Sequence, residues 1–242
     1  MNIAVYTTNY KELNQMIREY LVEKNNITLT HVYGQRYIGV GIEKGKKITI
    51  SGTPGNDLGM FISGGEIEVF GNGQDAVGNT MSGGSIIIHG RVSDALGYSM
   101  RDGKIFIKED CGYRAGIHMK EYQEECPIIV IGGRTGSYLG EYMAGGKIIV
   151  LNLYSDKKPT GDYLATGMHG GEIYLRGKFD INSLSKNVKY SLCKAEDIAL
   201  ISAYIRDFAK VFGIDEETIL KEDFTKIIPI SNRPFKDVYT SK

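Results

Sequence analysis

The chain has 242 residues, 29 basic and 29 acidic side chains, and a formal net charge of zero. That balance excludes a general electrostatic pull toward nucleic acid or an anionic membrane surface. No apolar run approaches the roughly 18 residues that a membrane span requires. The three cysteines, Cys111, Cys126 and Cys193, are odd in number and scattered, which argues against a disulfide framework.

The N-terminus lacks a basic-then-apolar signal segment, so the cytoplasm is the default location. A strand over Asn2–Tyr6 opens the chain. Leu13, Ile17 and Leu21, with Met16 and Tyr20, then recur at three- and four-residue spacing and predict a helix. Ile27–Val32 reads as a strand leading into the first turn of the repeats. This segment, 1–33, is expected to form a small α/β cap.

Between Gly45 and Gly177 one phrase recurs seven times: a small turn, then a short strand with apolar residues two apart. Leu58-Gly59…Ser63-Gly64-Gly65-Glu66-Ile67-Glu68-Val69 and Val77-Gly78…Ser82-Gly83-Gly84-Ser85-Ile86-Ile87-Ile88 are the clearest copies. The second turn residue marks each copy at Lys46, Gly65, Gly84, Gly103, Cys126, Gly146 and Gly171, at intervals of 19, 19, 19, 23, 20 and 25. Two and four positions after each mark stand aliphatics, from Ile48 and Ile50 through Ile128 and Val130 to Ile173 and Leu175. Alternate strand side chains point to opposite faces, so each copy offers two to one interior. Another glycine column, Gly59, Gly78, Gly97, Gly116 and Gly140, with Ala165 in the last copy, follows Leu58, Val77, Leu96, Ala115, Leu139 and Leu164. That adds a third inward ladder.

A unit of about 19 residues is too short for a βαβ unit of roughly 30 or for a propeller blade of roughly 40 to 45. It suits one turn of a parallel β-helix. The hexapeptide spacing of left-handed forms fails, since positions 58, 64 and 70 are Leu, Gly and Phe. The expected fold is therefore mainly β: a single-stranded right-handed parallel β-helix of about seven turns over 34–177. Loops are expected at about 117–125 and 151–162. The segment 178–242 is expected to form C-terminal helices and a tail. Ile198, Ile201, Ile205, Phe208 and Phe212 predict a helix from about 195 to 212 that stops at Gly213. A short helix at about 215–221 comes next, and Phe224–Lys242 should run extended.

No pattern of catalytic residues emerges. Gly71-Asn72-Gly73 lacks the spacing and the following helix of a dinucleotide fingerprint. None of His31, His89, His118 and His169 has the i, i+4 partner of a helical zinc site. The cysteines lack the close spacing of an iron–sulfur ligand set. Glu109-Asp110 and Glu124-Glu125 lie in loops, with no sign of the shared cleft that a carboxylate pair needs. Tyr98, Tyr113, Tyr138, Tyr142 and Tyr163 sit near turns and suit sugar stacking, a protein interface or corner packing. The reading assigns no catalytic, cofactor-binding or metal residue to this chain.

The repeats at Leu58-Gly59…Gly65 and Val77-Gly78…Gly84, with Glu141-Tyr142-Met143-Ala144-Gly145-Gly146 and Gly167-Met168-His169-Gly170-Gly171, resemble the C-terminal domain of the glutamate synthase large subunit. The likeness covers about residues 33–177; Phe61 departs from it, standing where a glycine is common. The resemblance implies a right-handed β-helix without catalytic residues. It also implies a structural subunit of a split glutamate synthase complex. Its partners would be a glutamine amidotransferase subunit and a synthase subunit carrying FMN and an iron–sulfur cluster, with self-association left open. The sequence is also similar to the β-helix subunits of N-methylglutamate synthase and formylmethanofuran dehydrogenase, which keeps a scaffold role in another multi-subunit enzyme in view. An independent sugar-acting β-helix enzyme is the remaining alternative.

Overall fold

A computed structural model describes residues 2–6 and 9–231. Strand β1 (Asn2–Ala4) precedes helix α1 (Tyr10–Glu23) and strand β2 (Asn26–Tyr33). Asn9 caps α1 by accepting the Lys11 N–H on its side chain, and Leu13, Ile17 and Leu21 are buried on one stripe. The repeats then supply β3 (Lys47–Thr53), β4 (Ser63–Phe70), β5 (Ser82–Ile88), β6 (Asp102–Ile107), β7 (Ile128–Ile131), β8 (Ala144–Val150) and β9 (Gly170–Arg176). After β9 come β10 (Val188–Leu192), α2 (Ala195–Phe212), α3 (Glu216–Leu220) and β11 (Phe224–Pro229). Gly213 ends α2 in the left-handed conformation, with φ 65°. The segment 232–242, which includes most of the tail expected to run extended, lies outside the described residues.

Strands β1 to β9 pair in sequence order and in parallel, a β-solenoid. The seven repeat strands bound six circuits, so the winding amounts to about six turns rather than the seven expected from counting copies. β11 closes the sheet antiparallel to β9, and β10 pairs antiparallel to β11 at its edge. β10 was not anticipated from sequence.

The interior is a set of stacked apolar columns. Ile48, Ile67, Ile86, Ile105, Ile148 and Ile173 form one, and Leu58, Val77, Leu96, Ala115, Leu139 and Leu164 another, none more than 1% exposed. A further column that sequence reading missed, Ile62, Met81, Met100, Met119, Met143 and Met168, is fully buried. Cap residues Leu13 and Ile17 at one end and Val188 and Ile227 at the other belong to the same core. Each end of the hydrophobic column is thereby removed from water.

One register assignment is overturned. In β7, Ile105 faces Ile129 and Ile107 faces Ile131, so the fifth mark is Pro127 and not Cys126. Ile129 and Ile131 point inward, and Ile128 and Val130 point outward into a second cluster beneath α2. A one-residue slip exchanges the faces. The run Ile128-Ile129-Val130-Ile131 is buried on both sides, so its apolar period carries no phase.

Candidate functional site

The corner of the solenoid that carries the glycine column has an unusual backbone. Three positions in each copy, two residues apart, adopt positive φ. The middle one is a glycine in every copy but the last, where it is Ala165 (φ 59°); at Gly59 (φ 66°) and Gly78 (φ 70°) a Cβ would strike the isoleucine column of the next turn. The corner amides alternate in direction along the stack. Gly78 N–H donates to Leu58 O at 2.9 Å, while Thr80 N–H donates to Tyr98 O at 2.7 Å on the other side. Alternation of positive-φ residues with residues outside that region thus pairs the corner backbone with the turns on both sides without a strand ladder.

The third position of this motif holds Gly41, Phe61, Thr80, Ser99, His118, Tyr142 and Gly167, all at positive φ between 52° and 68°. The first holds Tyr37, Asp57, Ala76, Ala95, Arg114, Tyr138 and Tyr163, all at φ between 59° and 65°. Left-handed backbone costs a residue with a Cβ roughly 1–2 kcal/mol. Gly41 and Gly167 show that glycine fits this column. Yet several of these positions carry large rings that stand in solvent: Phe61 is 48% exposed, Tyr142 42% and Tyr163 59%.

The rings form ladders along the rod. His118 and Tyr142 stack at 5.3 Å with Tyr98 edge-on, and Tyr138 and Tyr163 stack at 4.8 Å. Arg114 continues the second ladder, its guanidinium 4.6 Å from the Tyr138 ring centre. Its Nε–H donates to Glu141 at 2.9 Å, and Glu141 is nearly buried. Ring faces are therefore turned onto one another in these pairs. Phe61 takes part in no ring contact among the described residues.

Beneath α2 lies a second polar feature that sequence reading missed. Glu172 accepts hydrogen bonds from Lys147 at 2.8 Å, Lys226 at 2.6 Å and the Tyr174 hydroxyl at 2.8 Å; Lys226 also reaches Asp197 at 3.1 Å. Burial works against the Glu172 carboxylate, but these three donors pull its pKa down to about 2. Lys226 thereby links β11 to β9 and to the first turn of α2. A usable signal existed: Lys147 and Glu172 hold the same repeat position in successive copies, so the register sets them side by side.

The remaining sequence candidates are dispersed. His89 Nε2 lies 3.1 Å from Glu68, and its ring is packed between Phe70 and Phe212. His169 Nδ1 lies 3.0 Å from the Gly167 carbonyl, and His31 stacks on Tyr6. Cys111 is buried, and burial pushes its thiol up; burial also raises Cys126, and Cys193 to about 11. Glu124 and Glu125 sit in an exposed tight turn closed by Tyr122 and Glu125 backbone bonds of 3.0 Å each. Asp110 accepts the Arg134 N–H at 2.7 Å from the next turn, away from Glu124 and Glu125 in sequence and in role. Gly71 and Gly73 fall on the solenoid path and precede no helix. No group of three His, Cys, Asp or Glu side chains converges as a metal site among the described residues. No helix among them is long and apolar enough to cross a membrane.

A family model described as GXGXG motif matches residues 22–230. An uncharacterized protein of Methanocaldococcus jannaschii is similar to the chain, 49% identical over 244 residues, covering 96% of this chain and 93% of that protein.

Proposed function

The chain belongs to the GXGXG-motif family, that of the glutamate synthase domain, and from that premise we propose that it is a non-catalytic structural subunit of a split glutamate synthase complex. In this reading it braces a glutamine amidotransferase subunit against a synthase subunit, and FMN and the iron–sulfur cluster reside on that partner. Right-handed winding belongs to the same reading, since parallel crossovers take that hand almost without exception.

The observation that carries it is the exposed ring at a strained corner. Phe61 occupies a left-handed position that glycine fills in other turns, stacks on no other ring among the described residues and stands half in solvent. Such a side chain does little for the isolated fold. Aromatic residues with an arginine on a rigid ridge are the composition of protein interface anchors. A sugar platform, by contrast, needs open ring faces, and here Tyr138, Tyr163, His118 and Tyr142 turn their faces to one another. This disfavours the sugar-acting alternative.

The test is an assay of the purified full chain for glutamine-dependent glutamate formation, with absorbance scanned for flavin. The expected result is a colourless, inactive protein. Glutamate formation or tightly held flavin on the isolated chain overturns the reading.

A further inference from the structure

Strand β10 is the terminal strand of the sheet, and among the described residues nothing pairs with its outer side. Its hydrogen-bonding phase is fixed by its flanks. Ile230 N–H donates to Asn187 O at 3.0 Å, and Cys193 N–H donates to Phe224 O at 2.8 Å. Val188 faces Pro229, which has no N–H. Antiparallel pairs alternate between bonded and non-bonded, so Asn187, Lys189, Ser191 and Cys193 bond to β11. The N–H and C=O groups of Val188, Tyr190 and Leu192 therefore point outward, an open row of donors and acceptors.

The two faces of this edge differ. Lys189 and Ser191 share the face of Lys226, toward α2, because Ser191 is opposite Lys226. Tyr190 and Leu192 share the face of Ile227, toward the end of the core, and are 48% and 60% exposed. Phe179 packs edge-on against Tyr190 at 5.6 Å. From Leu184 to Lys194 the chain carries Lys186, Lys189 and Lys194 and no carboxylate. Among the described residues none of the three lysines forms an ion pair, and all three are exposed.

This charge pattern selects the occupant. A second copy related by a two-fold axis pairs antiparallel, and centring on Tyr190 sets Lys186 opposite Lys194 of the other copy. Like charges directly opposite destabilise a sheet pair. We propose that the outer edge of β10 receives an extended acidic segment of a partner protein. The segment adds as the next strand, with Asp or Glu on the Lys189 side and apolar side chains over Tyr190 and Leu192. The inference rests on the complex-forming reading but uses a surface other than the aromatic corner, so either can fail without the other.

The probe is a blocked nine-residue peptide of alternating glutamate and valine, fluorescently labelled and titrated into the full chain at low salt. Its counterpart has lysine for glutamate, and a third has proline at alternate positions. The expected result is that the glutamate peptide binds about tenfold or more tightly than the lysine peptide, and that the proline peptide does not bind. Lys189→Glu, an exposed substitution, inverts the preference. On binding, amide exchange slows at Val188, Tyr190 and Leu192, while Lys189, Ser191 and Cys193 are slow throughout. Equal binding of both charged peptides, no binding, or protection without the alternation overturns the proposal. So does a doubled mass in light scattering that Leu192→Lys abolishes, since the edge then belongs to a second copy. If the peptide fails but Phe61 still proves necessary for a complex, only the edge is excluded.

Discussion

The outer face of the solenoid has two halves. On β3 and β4 the mid-strand residue is Thr49 or Glu68, half-buried and polar. On β5 to β9 the same position holds Ile87, Phe106, Val130, Ile149 and Tyr174, packed under Ile201, Ile205 and Phe208 of α2. Interior columns hardly change across this boundary. The backbone repeat therefore depends on the inside alone, and the outside records what covers each turn. The covered half has a second core and an ionic pin to α2, where the bare half shows the Lys47–Glu68 and His89–Glu68 pairs between successive turns.

The largest expected effect breaks the covered half. Phe208 is fully buried against Phe106 and Phe212, and Phe208→Ala costs about 3–5 kcal/mol. Phe70→Ala on the bare half, 51% exposed, costs less than about 1 kcal/mol. Chemical denaturation of both variants checks the contrast; equal costs erase it. The pin comes next. Lys226→Met removes the donor that joins Glu172 to Asp197 and costs about 2 kcal/mol by the same measurement.

The pin also sets a pH dependence. Glu172 falls from an ordinary 4.5 to about 2 on folding. A depressed carboxylate contributes stability that is complete above the unfolded value and lost as pH falls through the folded one. Unfolding free energy should drop between about pH 4.5 and 2, and Glu172→Gln should flatten that drop. An unchanged slope in the variant assigns the acid sensitivity elsewhere.

Much of this architecture was legible in the chain. The period of the glycines and of Ile67, Ile86 and Ile105 sets the solenoid, and the stripe Ile201, Ile205, Phe208 sets α2. The drift from Glu68 to Phe106 at one repeat position also announces the covered half, although it is easily passed over as a tolerant outer site. Where both faces are apolar, as at Ile128–Ile131, the period-two signal loses its phase, and the pattern of marks falls one residue off the true register. β10 is too short, and too exposed at Tyr190 and Leu192, to separate from loop by pattern. The candidate site was legible only as residue types. Arg114 and Tyr138 meet across 24 positions because an insertion at 120–126 is looped out; each stands two residues before a glycine of the column, Gly116 or Gly140, and that register is the signal that could have paired them.

A modest stability gain accompanies the variant that tests the central claim most directly. Phe61→Gly relieves a left-handed residue and should raise stability by about 1 kcal/mol. A tagged wild-type chain, purified from the source cells and weighed by native mass spectrometry, should travel with an amidotransferase and a flavin-containing iron–sulfur subunit. The Phe61→Gly chain should be more stable and travel with less of them. A wild-type chain recovered alone, or a variant that keeps its partners in full, would contradict the account.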